Sequence, residues 1–334
     1  MKPLLCIVAL LFSSQVLSAQ WIKQTVNTTA SFRGLSVVNE KVIWASGTGG
    51  TVIRTIDGGR KWDVIQVPDA AKLDFRDIEA FDANTAYILS IGNGESSRIY
   101  KTTDGGKTWN LQFKNTNEKA FFDAIACWDN ESCIAVSDPV DGKYIFIRNY
   151  GGDSWSAIET PVPALAKDGQ AAFAASGTCL ITTSIHHAAM LVTGGTASEV
   201  LTTNSNGAAW ETSQTPIITG TSGSGIFSID MFYGSAVIVG GNYEKPDEAK
   251  DNLAFSTDGG KTWKLGTGLT GYRSGVTYVD KKTIIAVGTN GTDITRDGGK
   301  TWKILGKEDL NAVAAKGKKA VWAVGPKGMV VKMK

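Results

Sequence analysis

The sequence predicts an all-β protein, a seven-bladed β-propeller closed by its own N-terminal strand. An octet ending in tryptophan recurs at intervals of 47, 46, 55, 53 and 39 residues, and a four-stranded propeller blade takes about 40–50 residues. Glycine, at 38 of 334 residues, is abundant, which favours many turns over long helices. Between the octets lie short apolar runs bounded by Gly and Asn, a pattern typical of β-strands.

The repeated octet is expected to form a tight turn. Four copies are clean (TIDGGRKW at 55–62, TTDGGKTW at 102–109, STDGGKTW at 256–263, TRDGGKTW at 295–302) and two are degenerate (RNYGGDSW at 148–155, TNSNGAAW at 203–210). The Asp can accept backbone N–H bonds, the Gly pair supplies positive φ, and the Trp packs between blades. A metal or catalytic role is the alternative, but a residue repeated once per blade is spread round the rim. We therefore expect structural roles for Asp57, Trp62, Asp104, Trp109, Trp155, Trp210, Asp258, Trp263, Asp297 and Trp302.

Each octet is expected to follow three strands and precede a fourth. In the first unit these are 32–38, 42–46, 51–54 and 62–67, and later inner strands are expected to begin at Phe75, Phe122, Phe173, Phe227 and Arg273. After the last octet, 311–315, 320–324 and 329–332 make a seventh blade that lacks its fourth strand. The segment QWIKQ at 20–24 resembles TWKIL at 301–305, where the last octet ends and its fourth strand begins, so it should supply the missing strand and remove the exposed sheet edges.

The octets resemble the Asp-box, or BNR, repeat of sialidase-like propellers. The segments 31–38, 42–59 and 287–302 also look like the photosystem II stability and assembly factor propellers and their exported bacterial relatives, and the likeness covers the whole of 20–334. The resemblance implies a chaperone-like assembly scaffold that holds another protein.

The N-terminal 19 residues have the features of a secretory signal peptide. Lys2 precedes an apolar run from Leu4 to Phe12, and the segment ends on small residues at Ala19, as cleavage sites do. An uncleaved anchor is the alternative. We expect residues 1–19 to be removed and residues 20–334 to form one domain, periplasmic or secreted.

Export permits disulfides, and three cysteines remain after residue 19. Cys127 and Cys133 flank a polar turn, so they form either a cross-hairpin disulfide or two buried thiols. Cys179 is expected to be a buried thiol. No cysteine or histidine spacing fits a zinc site.

The composition excludes several classes of protein. A net charge of +2 cannot supply the basic field that nucleic-acid binding needs. No later apolar run is long enough to span a bilayer, and no phosphate-binding or dinucleotide-binding fingerprint occurs. We expect a monomer with no cofactor and no metal.

Three arginines are the candidates for a binding site. Arg33, Arg76 and Arg273 stand in FRGL, FRDI and YRSG at the starts of inner strands, which should direct them to one mouth of the channel. Together they would bind a carboxylate, phosphate or sulfate, unless each pairs with an acid such as Asp77 or Asp123.

The longest loops, 138–143 and 241–248, should reach the same mouth, because they join second to third strands. Long loops on a rigid scaffold often carry binding, so we add Asp138, Asn242, Tyr243 and Asp293 to the candidate site. Asp138 and Asp141 could hold calcium, although a Pro-Asp sequence more often makes a turn.

These observations favour a non-catalytic binding or assembly scaffold for a protein partner or a glycan at this mouth. The alternative is a sialidase-like glycoside hydrolase or glycan-binding propeller, in which Asp77, Asp123 and Asp138 would act with the three arginines. Sialidases usually carry an Arg-Ile-Pro segment, which this sequence lacks.

Overall fold

The computed structural model describes residues 21–151, 154–158, 164–183 and 187–334. Seven antiparallel sheets form seven blades, so the predicted all-β, seven-bladed propeller is confirmed. The expected signal peptide, residues 1–19, lies outside the described residues. In the ranges described, the one helical segment is a 3-10 turn at Gly94–Ser96, and no helix there has the length and apolar character needed to cross a membrane.

The strands are numbered in chain order. The first, β1 (Trp21–Lys23), precedes blade 1, which contains β2 (Phe32–Val37), β3 (Ile43–Gly47), β4 (Thr51–Thr55) and β5 (Asp63–Gln66). Blade 2 contains β6 (Phe75–Ala80), β7 (Ala86–Ser90), β8 (Arg98–Thr102) and β9 (Asn110–Lys114). Blade 3 contains β10 (Phe122–Asp129), β11 (Ser132–Val140), β12 (Lys143–Tyr150) and β13 (Ser156–Ala157).

The remaining blades follow the same order with one interruption. The pair β14 (Gln170–Ala171) and β17 (Gly194–Gly195) joins the inner edge of blade 5, while blade 4 contains β15 (Leu180–Thr182), β16 (Ala189–Val192), β18 (Glu199–Thr203) and β19 (Glu211–Gln214). Blade 5 contains β20 (Ser224–Phe232), β21 (Ser235–Asn242), β22 (Leu253–Ser256) and β23 (Lys264–Leu265). Blade 6 contains β24 (Gly275–Tyr278), β25 (Ile284–Gly288), β26 (Gly291–Thr295) and β27 (Lys303–Gly306), and blade 7 contains β28 (Ala312–Ala315), β29 (Val321–Val324) and β30 (Val330–Met333).

The hydrophobic core lies between the faces of neighbouring blades. Second strands such as β3 and β7 are buried along their whole length, whereas the outer strand β5 alternates between half-buried and exposed residues. The octet tryptophans reach the preceding blade: Trp62 meets Trp322 edge-to-face with ring centroids 5.6 Å apart, and Trp210 stacks on Phe146 at 4.3 Å. In blades 1 and 4, the tryptophan that ends the octet therefore fastens the blade to the one before it.

The octet at 256–263 shows how the turn is held. Asp258 Oδ1 accepts the Thr262 N–H at 3.0 Å and the Ser256 hydroxyl at 2.7 Å, while its Oδ2 accepts the Thr262 hydroxyl at 2.6 Å. These hydrogen bonds, those from Thr262 first, lower the pKa of Asp258. In the degenerate octet at 203–210, Ser205 Oγ takes the same place and accepts the Ala209 N–H at 3.0 Å. The hydrogen bonds of the Asp258 carboxylate therefore go to residues of its own turn.

The ring is closed by β1. Trp21 lies opposite Met333 and Lys23 opposite Val331 in an antiparallel ladder with β30, as the sequence predicted. The Trp21 ring is buried, and its Nε1 donates to Thr292 Oγ1 at 3.3 Å in blade 6. The last blade thus takes its outer strand from the other end of the described chain.

The inner strands of three blades begin elsewhere than predicted. Strand β20 begins at Ser224 and β24 at Gly275. In blade 4 the prediction of a strand from Phe173 is wrong, because β15 begins only at Leu180. Residues 173–179, the channel segment, instead run across the central channel.

The channel segment bonds to blades on several sides of the ring. The Ala175 carbonyl accepts from Arg33 in blade 1, and Ser176 Oγ donates to Ser274 O beside blade 6 at 2.8 Å. These partners replace the ladder hydrogen bonds that an inner strand would make. The segment therefore separates the two ends of the channel.

Candidate functional site

The two ends of the channel are built from different parts of each blade. Because neighbouring strands are antiparallel, the inner strands begin at the end that also carries the loops between second and third strands. We call this end the loop face. The Asp-box turns lie at the opposite end, the box face. Arg33 and Arg76, the second residues of β2 and β6, and Tyr243, which directly follows β21, belong to the loop face.

A cavity of about 340 Å³, the mouth cavity, opens at the loop face. One half of its lining is cationic and comes from blades 1 and 2, and the other half is aromatic and comes from the channel segment and blades 5 and 6. None of the described residues that line it is acidic. They are Arg33, Arg76, Phe173, Ala174, Ala175, Phe227, Tyr243, Tyr272, Ser274, Thr289 and Asn311.

The two arginines differ in how far their charge is neutralised. Arg76 Nε forms an ion pair with Asp74 at 2.8 Å, and its Nη1 donates to Ala174 O at 3.2 Å. Arg33 Nη1 donates to Ala175 O at 3.0 Å, and none of the ion pairs within the described residues includes it. Burial, followed by the charge of Arg76, lowers the pKa of Arg33. The charges of Asp74 and Asp309 act on Arg33 in the opposite direction, although neither forms an ion pair with it. Arg33 is thus a partly desolvated cation without a salt-bridge partner in the described part of the chain.

The aromatic half is fixed by ring-to-ring contacts. Phe173 stacks on Phe227 with ring centroids 4.0 Å apart and planes inclined by 3°. Tyr272 meets Phe227 edge-to-face at 4.8 Å and Tyr243 does so at 6.2 Å. Tyr243 is 49% exposed and forms the rim, whereas Phe227 is buried.

Arg273 is not part of the mouth cavity, and its predicted place there is wrong. Its guanidinium is fully buried beside Asp293, which is also fully buried, with Nη2 and Oδ2 2.6 Å apart. Further bonds run to Asn290 Oδ1 and Thr270 Oγ1, each at 2.6 Å. Since β24 starts two residues after Arg273, the side chain turns into the interior of blade 6 instead of the channel. Asp293 is therefore a partner of Arg273 and lies away from the mouth.

The long loops contribute less to the cavity than the sequence suggested. Asp138 Oδ1 accepts the Ala172 N–H at 2.8 Å, and burial raises the pKa of Asp138 to about 6. Asn242 is buried and its Oδ1 accepts the Glu244 N–H at 2.9 Å, which shapes the loop that carries Tyr243.

The described residues offer no calcium site at the Asp138 loop. Asp141 is exposed and pairs with Lys119 at 3.1 Å, whereas Asp138 is half-buried and accepts the Ala172 N–H. No group of three or more His, Cys, Asp or Glu side chains within the described ranges could hold a metal ion.

Asp77 and Asp138, two of the three carboxyls of the hydrolase hypothesis, accept hydrogen bonds from backbone N–H groups. Asp77 accepts the N–H groups of Ile78 and Ile125, both at 2.8 Å, and so links blades 2 and 3. Asp123 is 1% exposed and its Oδ2 has no hydrogen-bond partner. Burial, followed by the charge of Asp138, raises the pKa of Asp123 well above its usual value. None of the three lines the mouth cavity with the arginines.

A second cavity, of about 530 Å³, lies on the box-face side of the channel segment. Asp77, Glu79 and Asp230 contribute carboxyls to its lining. Burial raises the pKa of Asp77 to about 7 and that of Asp230 to about 6, and burial followed by the charge of Asp77 raises the pKa of Glu79. The two ends of the channel therefore differ in chemistry, with guanidiniums at one and carboxyls at the other.

Cys127 and Cys133 are joined by a disulfide, one of the two alternatives that the sequence left open. It lies next to the turn between β10 and β11. Cys179 is a buried free thiol. Burial raises the pKa of the Cys179 thiol, which disfavours the thiolate.

Of the aromatic half of the site, the sequence predicted Tyr243 but not Phe173, Phe227 or Tyr272. In the sequence pattern, Phe173 and Phe227 resemble Phe32 and Phe75, which begin inner strands and pack into the core. No motif marks Tyr272. The signal that could have marked the channel segment is its run of small residues, AASGT at 174–178. An inner strand of such residues would have no large side chains to pack against the neighbouring blades.

Fold and repeats together make the chain a β-propeller of BNR/Asp-box repeats. The family model described as BNR/Asp-box repeat matches residues 254–265. Two curated relatives, both named Vacuolar protein sorting/targeting protein 10 and from two strains of Aspergillus fumigatus, are 30% identical over 106 residues. That match covers 30% of this chain and 7% of each relative, so the chain spans only a small part of their length.

Two solved structures share the whole architecture. The structure titled "YCF48 bound to D1 peptide" aligns with a TM-score of 0.67 at 18% identity and covers 96% of this chain and 99% of its own. YCF48 from Cyanidioschyzon merolae aligns with a TM-score of 0.67 at 17% identity and covers 94% of this chain and 99% of its own. At 17–18% identity, the likeness to these structures is one of fold alone.

Proposed function

We propose that this protein is an exported, non-catalytic scaffold that binds a segment of another protein at the mouth cavity. The observation that carries the proposal is Arg33, a half-buried cation at the loop face that forms no ion pair within the described residues. Burial disfavours the charged form of this guanidinium, so a carboxylate supplied by a partner would gain a charge-assisted hydrogen bond there. The cavity holds a side chain or two, which suits a segment of a protein chain.

The comparisons support the same kind of ligand. One of the structures with this fold holds, by its title, a D1 peptide. We carry over only the ability of such a propeller to receive a peptide, and the loop face is our placement for it.

The hydrolase alternative has less support. Glycosidases need two carboxyls flanking the scissile bond, and no described residue lining the mouth cavity is acidic. Asp77 and Asp138 are engaged with backbone N–H groups. A glycan ligand remains compatible with the aromatic rim, and the capture experiment below separates glycan from protein.

The test is affinity capture from the envelope fraction with three forms of the protein. Arg33→Gln removes the positive charge that forms no ion pair. Arg60→Gln removes a charge from an exposed octet turn on the box face and is the matched control. We expect wild type and Arg60→Gln to retain the same proteins, at lower yield in high salt, and Arg33→Gln to lose them. Equal capture by all three forms, or capture that glycosidase treatment of the fraction abolishes, contradicts the proposal.

Export rests on the N-terminal sequence, and the Cys127–Cys133 disulfide supports it because such bonds persist in oxidising compartments. Residues 1–24 fused to alkaline phosphatase without its own leader should give active enzyme, since that enzyme needs disulfides to mature. Leu10→Arg, which interrupts the apolar run, should abolish the activity. An inactive wild-type fusion contradicts export.

A further inference from the structure

The mouth cavity has two chemically different halves that face each other across the channel segment. Arg33 and Arg76 line one side, and Phe173, Phe227 and Tyr243 line the other. The floor between them is the backbone of Ala174 and Ala175, whose carbonyls already accept from the two arginines. An occupant must therefore present different groups to the two sides at the same time.

The anionic group of an occupant is directed to Arg33. Asp74 forms an ion pair with Arg76, whereas the hydrogen bond that Arg33 makes in the described part of the chain goes to the Ala175 carbonyl, and Asp74 and Asp309 act on Arg33 through their charges alone. The two guanidiniums repel each other, which contributes to lowering the pKa of Arg33. A carboxylate placed against Arg33 relieves this repulsion and finds free N–H donors.

The opposite side is shaped for a flat apolar group. The stacked Phe173–Phe227 pair and the edge-on Tyr272 hold one another in place, so the wall is rigid before anything binds. Tyr243 stands at the rim with about half of its surface exposed and touches Phe227 edge-to-face. Aromatic rings prefer such offset and edge-to-face partners, and preformed rings lose little entropy on binding.

The size of the cavity limits the ligand to a short motif. At about 340 Å³ it is at the lower end of ligand pockets, which run from about 300 to 1,000 Å³. That space accommodates one aromatic side chain together with one short carboxylate side chain. Adjacent residues of an extended segment point their side chains to opposite sides, so neighbouring acidic and aromatic residues can face the two halves at the same time.

We infer that the mouth cavity selects protein segments in which an acidic residue is adjacent to an aromatic one, with the carboxylate at Arg33 and the ring against Phe173, Phe227 and Tyr243. This inference rests on the proposed function and specifies its ligand. Tyr243 is the specificity-determining residue for the ring, and Arg33 is the one for the charge.

The test uses hexapeptides, acetylated and amidated so that they carry no terminal charge. The central pairs are Glu-Phe, Phe-Glu, Glu-Ala and Gln-Phe in an alanine background, and dissociation constants come from chemical-shift titration of the full-length protein. We expect the better of the two acidic-aromatic peptides to bind at least about tenfold more tightly than Glu-Ala, because burying an aromatic ring contributes that much.

Two variants separate the two sources of affinity. Tyr243→Ala, a change at a half-exposed rim residue, should reduce the preference for the ring to less than about threefold while Glu-Ala binding stays the same. Arg33→Gln should weaken every Glu peptide and leave Gln-Phe unchanged. Equal binding of Glu-Phe, Phe-Glu and Glu-Ala overturns this inference but leaves the proposed function in place. Failure of all Glu peptides to bind wild type better than Gln-Phe overturns the recognition of charge on which the proposed function depends.

Discussion

Arg273 and Asp293 form an ion pair that is fully withdrawn from solvent, and their importance is for stability. Burial lowers the pKa of Arg273, while the neighbouring Asp293 acts in the opposite direction. Removing one member of a buried pair leaves the other charge without compensation and costs about 3–5 kcal/mol, whereas removing both often costs little. We therefore expect Arg273→Met to be far more destabilising than the double change Arg273→Met with Asp293→Leu.

Urea unfolding of wild type, both single variants and the double variant measures this coupling. The pair is a structural ion pair if the double variant is more stable than either single one. Strict additivity of the two single losses would contradict a direct interaction. Peptide binding by the double variant should match that of wild type, because neither residue lines the mouth cavity.

Glu79 gives the protein a predicted pH dependence. Its carboxyl lines the box-face cavity beside Asp77, and burial followed by the charge of Asp77 raises its pKa. An unfolded carboxyl titrates near pH 4, so between about pH 4 and the higher folded pKa the folded state holds more protons. The free energy of unfolding must then fall as the pH rises through this window, which for Asp77 extends to about 7.

Glu79→Gln removes one of these titrating groups. The loss of stability between about pH 4 and 7 should therefore be smaller in this variant than in wild type. Glu118→Gln, which changes an exposed carboxylate on the loop face, is the control and should retain the wild-type slope. A Glu79→Gln slope equal to that of wild type would show that this carboxyl does not titrate in the window.

At the scale of elements, the channel segment depends on a glycine. Gly177 has φ +77°, and a Cβ there would lie 2.1 Å from Asp77 Oδ1 and 2.5 Å from its Cγ. Asp77 cannot move away easily, because its two oxygens bond to the backbone of blades 2 and 3. Gly142 has φ +76° with nothing within 4 Å of the same position, which makes it a matched control for the backbone alone.

In both alanine variants the left-handed conformation lowers the free energy of unfolding by about 1–2 kcal/mol. Gly177→Ala should lose a further 1–3 kcal/mol, roughly, from the clash with Asp77. Denaturant unfolding of the two variants measures the difference directly. Equal stability of Gly177→Ala and Gly142→Ala would show that the channel segment can shift away from Asp77 at no cost.

The same segment shows where sequence reasoning ends. The blades could be predicted because each octet carries its own turn chemistry, as in Asp258 with Thr262, and because ladder partners are near in sequence. The path of residues 173–179 depends on Asp77 and Ser274, about 100 residues away on either side. Without knowledge of such distant partners, an apolar run bounded by glycine predicts a strand.

The candidate site was predictable in part for the same reason. Arg33 and Arg76 lie at the mouth because they are the second residues of inner strands that begin where the pattern placed them. Arg273 followed the same pattern, but β24 begins later, at Gly275, and Asp293 on β26 attracts the guanidinium. A displacement of two residues at the end of a strand was enough to move a charged side chain from the channel into the core.

At the scale of the whole molecule, stability depends on the closure of the ring by β1. Trp21 lies opposite Met333 in the ladder with β30, so a short turn could join the end of β30 to the start of β1. We predict that deleting residues 1–24 destabilises the protein by at least about 3–5 kcal/mol, the cost of removing a buried tryptophan. The deletion also exposes the edge of β30, which invites association between copies.

Moving residues 20–24 to the C-terminus, after a Gly-containing turn that follows Lys334, restores the same strand as part of a hairpin. This variant should recover the wild-type unfolding midpoint and remain monomeric by light scattering, whereas the deletion variant should do neither. A version of the transplant with Trp21→Ala is the matched control. It should be monomeric, because it rebuilds the edge hydrogen bonds, but it should unfold below the wild-type midpoint, because it lacks the buried ring. Closure would be disproved as the source of stability if the deletion variant unfolded at the wild-type midpoint.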